Sequence, residues 1–123
     1  MKAWIGAVAL VGTLASGSAI ALDGNGLLSA CQSTIRFSDG EKGVSAADVG
    51  MCTGMVEGVE GAIFVLNDSV AADMKTCYPA GGTTNIQKAR IVVKHLQENP
   101  DQLHLPASML TMIAYMRAFP CKS

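Results

Sequence analysis

The chain has 123 residues, half of them hydrophobic, with nine basic and ten acidic side chains. That apolar content excludes a disordered chain, and the near-neutral balance without a basic patch excludes a nucleic-acid binder. The two histidines, His95 and His104, fall in different elements with no Asp, Ser or Cys at a motif spacing, so the chain reads as a non-enzyme without a cofactor.

Residues 1–21 read as a secretory signal peptide. Lys2 gives the basic start, Trp4 to Ala15 the apolar run, and Ala19-Ile20-Ala21 the cleavage site before Leu22. The run is well short of the ~20 residues of a spanning helix, which disfavours an uncleaved anchor. The mature chain, 22–123, is one domain of 102 residues with eight basic and ten acidic side chains. It holds all four cysteines, Cys31, Cys52, Cys77 and Cys121. An even count in an exported chain reads as two disulfides, with three pairings open. The spacings contain no C-x-x-C and no paired histidines, which disfavours zinc. An oxidising space such as the periplasm of a Gram-negative bacterium is the expected location, with no membrane contact after cleavage.

The periodicity is helical nearly throughout, and no strand pattern is convincing. The first helix is expected over Asp23 to about Arg36, with Leu27, Leu28, Cys31 and Ile35 on one face. A polar loop follows, and Ser45 then caps a second helix running to about Leu66, with Asp48 as a weak capping-box partner. Val49, Met51, Cys52, Met55, Val56, Val59, Ala62, Ile63 and Leu66 form its broad apolar face, and Glu57 and Glu60 an acidic edge. A solvated edge is the expected reading of those two carboxylates, ahead of an acid/base pair. Gly50, Gly54, Gly58 and Gly61 share an arc of about 80°. Each glycine costs a helix interior roughly 1 kcal/mol against alanine, so another backbone is expected close by. A neighbouring helix of the same monomer is the favoured neighbour, and a dimer or partner surface the alternative.

Asn67 to Gly82 is a loop, with room for a short turn at Val70 to Met74. Thr84-Asn85-Ile86-Gln87 is a capping box opening a third helix to about Asn99, before Pro100. Ile86, Ala89, Val92, Val93 and Leu96 line its apolar side; Lys88, Ile91, Lys94, His95 and Glu98 fall on the polar side. Pro106 suits the first position of a fourth helix, Ala107 to about Ala118. Met109, Leu110, Met112, Ile113, Met116 and Phe119 cover most of its girth, with Thr111 and Tyr115 as a thin polar strip. Met109, Met112 and Met116 share a face that could offer Cu(I) thioethers, but core packing is the expected reading. In the tail, Phe119 packs, Pro120 stops the helix, and Cys121 is expected buried and oxidised.

From Cys77 to Cys121 a C-x-P start, the T-x-x-Q cap, V-V-K-x-L, N-P, H-L-P-A-S and a terminal A-F-P-C occur in order. Upstream lies Cys52-Thr53-Gly54-Met55-Val56-Glu57-Gly58. The ordered set resembles the Rap/Tai family of type VI secretion immunity proteins, with Met55 where that family usually has an aromatic residue. The resemblance covers nearly the whole mature chain. It implies a small disulfide-linked helical protein of the periplasm that binds and inhibits a secreted peptidoglycan amidase, often as a homodimer, without catalysis or cofactor.

The expected fold is therefore an all-α four-helix domain held by Cys31–Cys52 and Cys77–Cys121. The first pair lies on apolar faces of adjacent helices, and the second brackets the last two helices. Steric occlusion of the amidase's active site is the expected mode of action. Asn67, Asp68, Ser69, Asp73 and Lys75, in a polar loop long enough to protrude, are the candidate effector-binding residues, with Asp39 to Lys42 second. A periplasmic acid-stress chaperone is the alternative function.

Overall fold

A computed structural model describes residues 21–122. The expected signal peptide, Ala21 apart, lies outside the described residues, and among these there is no strand. The four helices are α1 (Gly24–Ser38), α2 (Ala46–Leu66), α3 (Asn85–Glu98) and α4 (Ala107–Ala118). Short 3-10 turns occupy Asn67–Ser69, Ala72–Met74 and Pro100–Gln102.

Local chemistry sets the helix starts. The Asp23 carboxylate accepts from the Gly26 amide at 2.9 Å. Ser45 Oγ accepts from the Asp48 amide at 3.3 Å. Thr84 and Gln87 form the reciprocal capping box. Asp48 departs from its expected role: its carboxylate accepts from the Ser33 hydroxyl at 3.1 Å. A side chain one methylene shorter than glutamate reaches the neighbouring helix instead of its own cap, and ties α2 to α1. Pro106 occupies the N-cap of α4, not its first helical position. It pairs with Asp23, and the Ala107 amide donates to the Leu22 carbonyl at 2.9 Å, fastening the start of the domain to α4.

The core is one cluster to which every helix contributes: Leu27 and Cys31 from α1, Cys52 and Val56 from α2, Val92 and Leu96 from α3, Leu110 and Tyr115 from α4. The disulfides pair Cys31 with Cys52 and Cys77 with Cys121. The first is fully buried. The second lies at the edge, with Cys77 exposed and Cys121 half-buried, so the expected burial of Cys121 is corrected. Around it the Cys77 amide donates to the Phe119 carbonyl at 2.8 Å, and Thr76 bridges to Pro120. The tail is latched by backbone pairing as well as by sulfur.

Some polar positions changed sides. Lys88 and His95, read from periodicity as outward-facing, are buried, and so are Thr111 and Tyr115 of the thin strip on α4. Partners make this affordable for three of them. Thr111 Oγ1 donates to the Ala107 carbonyl at 2.8 Å, Tyr115 Oη to the Val56 carbonyl at 2.9 Å, and Lys88 pairs with Glu60. A buried polar group is tolerated when its hydrogen bond is made inside, which a hydropathy pattern does not show.

His95 is less well served. Asn99 Nδ2 lies 3.4 Å from its Nδ1, and its buried Nε2 has no partner among the described residues. Burial, reinforced by Arg117 and opposed by Glu98, lowers its pKa below the ordinary 6.5. On acidification the unfolded chain therefore takes up this proton before the folded one. The His95 contribution should be intact above about pH 6.5 and lost progressively as pH falls toward the folded pKa. Urea unfolding at pH 7.5 and pH 5 should show that loss in the parent and a smaller one in His95→Gln.

Gly24 is needed for a close approach. A Cβ there would lie 2.6 Å from Leu110 Cδ1, 2.8 Å from the Leu103 carbonyl oxygen and 2.9 Å from Leu103 Cα. Two of the three atoms are backbone and cannot swing away. Gly24→Ala, despite alanine's higher helix propensity, should cost about 1–3 kcal/mol by overpacking. A chemical denaturation midpoint unchanged from the parent would refute this.

Candidate functional site

The largest departure from expectation is on α2. Only a narrow stripe of it, Cys52, Val56, Val59 and Ile63, is buried. At 100° per residue the four glycines lie almost opposite that stripe, on the outermost line of the helix. A Cβ built on Gly50, Gly54, Gly58 or Gly61 meets nothing within 4 Å. Among the described residues no helix covers them, so the favoured explanation by an internal neighbour is overturned. The physical reason is the narrowness of the core: among the described residues the three shorter helices bury one side of α2 and leave the other open.

The rest of the outer surface is apolar too. Phe64 is 86% exposed, Val65 76% and Leu66 50%, with Met51 also largely uncovered. Phe64, Val65 and Leu66 are consecutive, and three successive residues span about 200° of a helix, so they could not all reach one core. That was the available sequence signal for an exposed apolar patch. By length and composition alone α2, together with the turn after it, could cross a bilayer. Its buried stripe and its disulfide to α1 instead build it into the domain.

Two clefts flank the glycine line. On the α4 side, Gly54, Met55, Gly58, Val59, Met109 and Met112 border an open apolar groove of about 640 Å³. Met109, expected as core packing, is 40% exposed on its rim. On the α3 side, Glu57, Glu60, Phe64, Tyr78, Asn85 and Lys88 border a second cleft of about 410 Å³. Asn85 Nδ2 donates to Glu57, and the ammonium of Lys88 to Glu60. Burial pushes the Lys88 ammonium below its usual pKa, and the nearby Glu57 opposes that shift. Tyr78 stacks edge-on against Tyr115, its ring centre 6.0 Å away. Its phenol oxygen is buried without a partner among the described residues, and burial raises its pKa to about 12.

The loop residues singled out from sequence divide in two. Asn67 is spent on structure: its side-chain amide donates to the Thr76 carbonyl at 3.1 Å and accepts from the Thr76 amide at 3.0 Å, closing the loop on itself. Asp68, Ser69 and Asp73 are exposed, and Lys75 is half-buried with its ammonium 4.0 Å from Asp68. The loop follows directly on Phe64, Val65 and Leu66 and also exposes Met74, so polar loop and apolar helix end form one surface. In the other candidate segment, Asp39 pairs with Arg90 at 3.0 Å and Glu41 with Arg36 at 2.9 Å, so those carboxylates are engaged on the domain's own surface.

Among the described residues no three His, Cys, Asp or Glu side chains converge on a metal position. What the geometry offers is contact area, apolar along α2 and acidic at one side. Compared with known proteins, residues 23–121 match the family model described as Rap1a immunity proteins. No curated protein and no solved structure matches the chain.

Proposed function

The chain belongs to the Rap1a immunity protein family, and from that premise we propose that it is a periplasmic inhibitor of a type VI secreted peptidoglycan amidase, acting by steric occlusion of the enzyme's active site. It works by binding and not by catalysis. The observation that carries the reading is the exposed apolar end of α2, Phe64, Val65 and Leu66, which runs directly into an exposed polar loop. An exposed apolar surface of this extent on a small domain marks a protein-binding face.

The effector surface in this reading is the end of α2 with the loop after it: Phe64 and Val65 as apolar anchors, and Asp68, Ser69, Asp73 and Lys75 as the polar rim. Asn67 supports the loop from within. The glycine line and the methionine groove are assigned to a second copy of the chain, giving a homodimer. Small residues let two helix backbones approach closely, and flexible thioethers repack against an incoming surface.

The test is co-expression with candidate secreted amidases, reading peptidoglycan hydrolysis and complex stoichiometry by light scattering. Stable inhibition at a fixed ratio is the expected result. An exported protein that leaves every such amidase active would overturn the reading.

A further inference from the structure

The cleft between α2 and α3 has a chemistry that the methionine groove lacks. Glu57 and Glu60 stand at i and i+3 on the α3 side of α2, and among the described residues Lys88 is the one cation lining the cleft. The side chain of Lys88 is 4% exposed, whereas that of Glu60 is 37% exposed, so the pair shows its carboxylate to solvent. Glu57 is exposed and held in place by Asn85 Nδ2. The net charge of the cleft is therefore negative, and the exposed charge in it is carboxylate.

The unfilled bonding capacity open to solvent is that of acceptors. Each carboxylate has an oxygen beyond the one that binds Asn85 or Lys88. Phe64, 86% exposed at the rim, offers a bare aromatic face. Carboxylate oxygens and an aromatic face are complementary to one side chain above others. A guanidinium is planar, donates in several directions and stacks on aromatic rings.

We infer that this cleft receives an arginine side chain presented by the effector, its guanidinium bridging Glu57 and Glu60 and lying against Phe64. The inference rests on the effector-binding reading above and adds the kind of residue that the effector must place there. Anchoring by a buried arginine fits the general pattern of protein interfaces, where arginine and aromatic residues dominate the binding energy. The cleft also adjoins the exposed end of α2, so it continues the proposed effector surface.

Two measurements test it. In the first, the protein labelled at side-chain amides is titrated with acetyl-arginine amide and, in parallel, with acetyl-citrulline amide, its neutral isostere. The Asn85 amide resonances should move with arginine and not with citrulline, and should stay still in Glu57→Gln. In the second, Glu57→Gln should weaken the effector complex about tenfold, the loss of one charge-assisted hydrogen bond, and flatten its salt dependence. Glutamine keeps the acceptor for Asn85, so the fold should persist, with melting lowered only slightly by the loss of the Glu57 charge near Lys88. Equal responses to arginine and citrulline, or unchanged effector affinity in Glu57→Gln, would overturn the inference. If no amidase binds even the parent protein, the effector reading fails while the arginine titration still decides the chemistry of the cleft.

Discussion

Replacing Cys31 and Cys52 together by alanine should lower the melting temperature by about 15–25 °C. The bond closes a separation of 21 residues, and chain-entropy arithmetic gives about 3.4 kcal/mol for a loop of that size. Both sulfurs are completely buried between α1 and α2, so the double replacement also removes packed atoms from the centre of the core. A domain of this size has a total stability of about 5–15 kcal/mol, so the loss is a large fraction of it. The second disulfide spans 44 residues, and the same arithmetic gives about 4 kcal/mol. Its removal should act differently. The Cys77–Phe119 and Thr76–Pro120 backbone pairing persists without the sulfurs and can hold the latch in the folded state. Hydrogen exchange should therefore show a globally weakened core in the first variant and a preferentially loosened tail in the second. Thermal denaturation of the first variant at the parent's temperature would contradict the account.

The second large effect runs against intuition. Changing Gly50, Gly54, Gly58 and Gly61 together to alanine should stabilise the monomer by about 3 kcal/mol and raise the melting temperature by about 10–20 °C. Each site is helical, and an added Cβ at each meets open space. Helix propensity therefore acts without a steric penalty. The same four methyl groups would stand up along the line where another backbone is proposed to approach. Self-association measured by light scattering should weaken as melting rises. A quadruple variant that is stabilised and still fully dimeric would remove the glycine line from the interface. One that is destabilised would mean that a neighbour already occupies this face. The contrast with Gly24→Ala is the informative part. The same substitution is expected to have opposite signs at two places, because Leu103 lies against Gly24 and nothing lies against the stripe.

Family membership narrows what these surfaces are for, and the same face gives the acid-stress chaperone less to stand on. Such a protein needs a trigger that uncovers apolar surface. Here Phe64, Val65 and Leu66 are uncovered already. The buried His95, the group whose proton uptake opposes folding, lies with Lys94 and Arg117 at a small cleft between α3 and α4 that Phe64, Val65 and Leu66 do not line.

Much of the local structure was legible because it is written in local chemistry. Ser45 and the Thr84–Gln87 box announce helix starts through side chains that satisfy free amides within three residues. Pro100 and Pro106 punctuate the last two helices. The disulfide pairing followed from which cysteines lie on facing apolar sides and which bracket a hairpin. The ordered motifs from Cys52 to Cys121 were enough to suggest the family. By itself, then, the sequence determined helix number, the approximate helix bounds and the family, since each depends on residues close together in the chain or on their order, and it favoured one of three pairings for the two covalent links.

Tertiary structure decided how much of α2 the core covers. Cys52, Val56, Val59 and Ile63 of the expected apolar face are buried, but the pattern does not say how wide the covered stripe is, and its narrowness turned the glycine arc from an internal contact into an open surface. It decided that Lys88, Thr111 and Tyr115 lie inside, because their partners, Glu60, Ala107 and Val56, are supplied by the fold. It also placed Tyr78, Phe64 and Glu57 around one cleft, although Tyr78 lies beyond a loop from the other two. Periodicity reports the polarity of a helix face; what that face touches depends on residues far away in the chain.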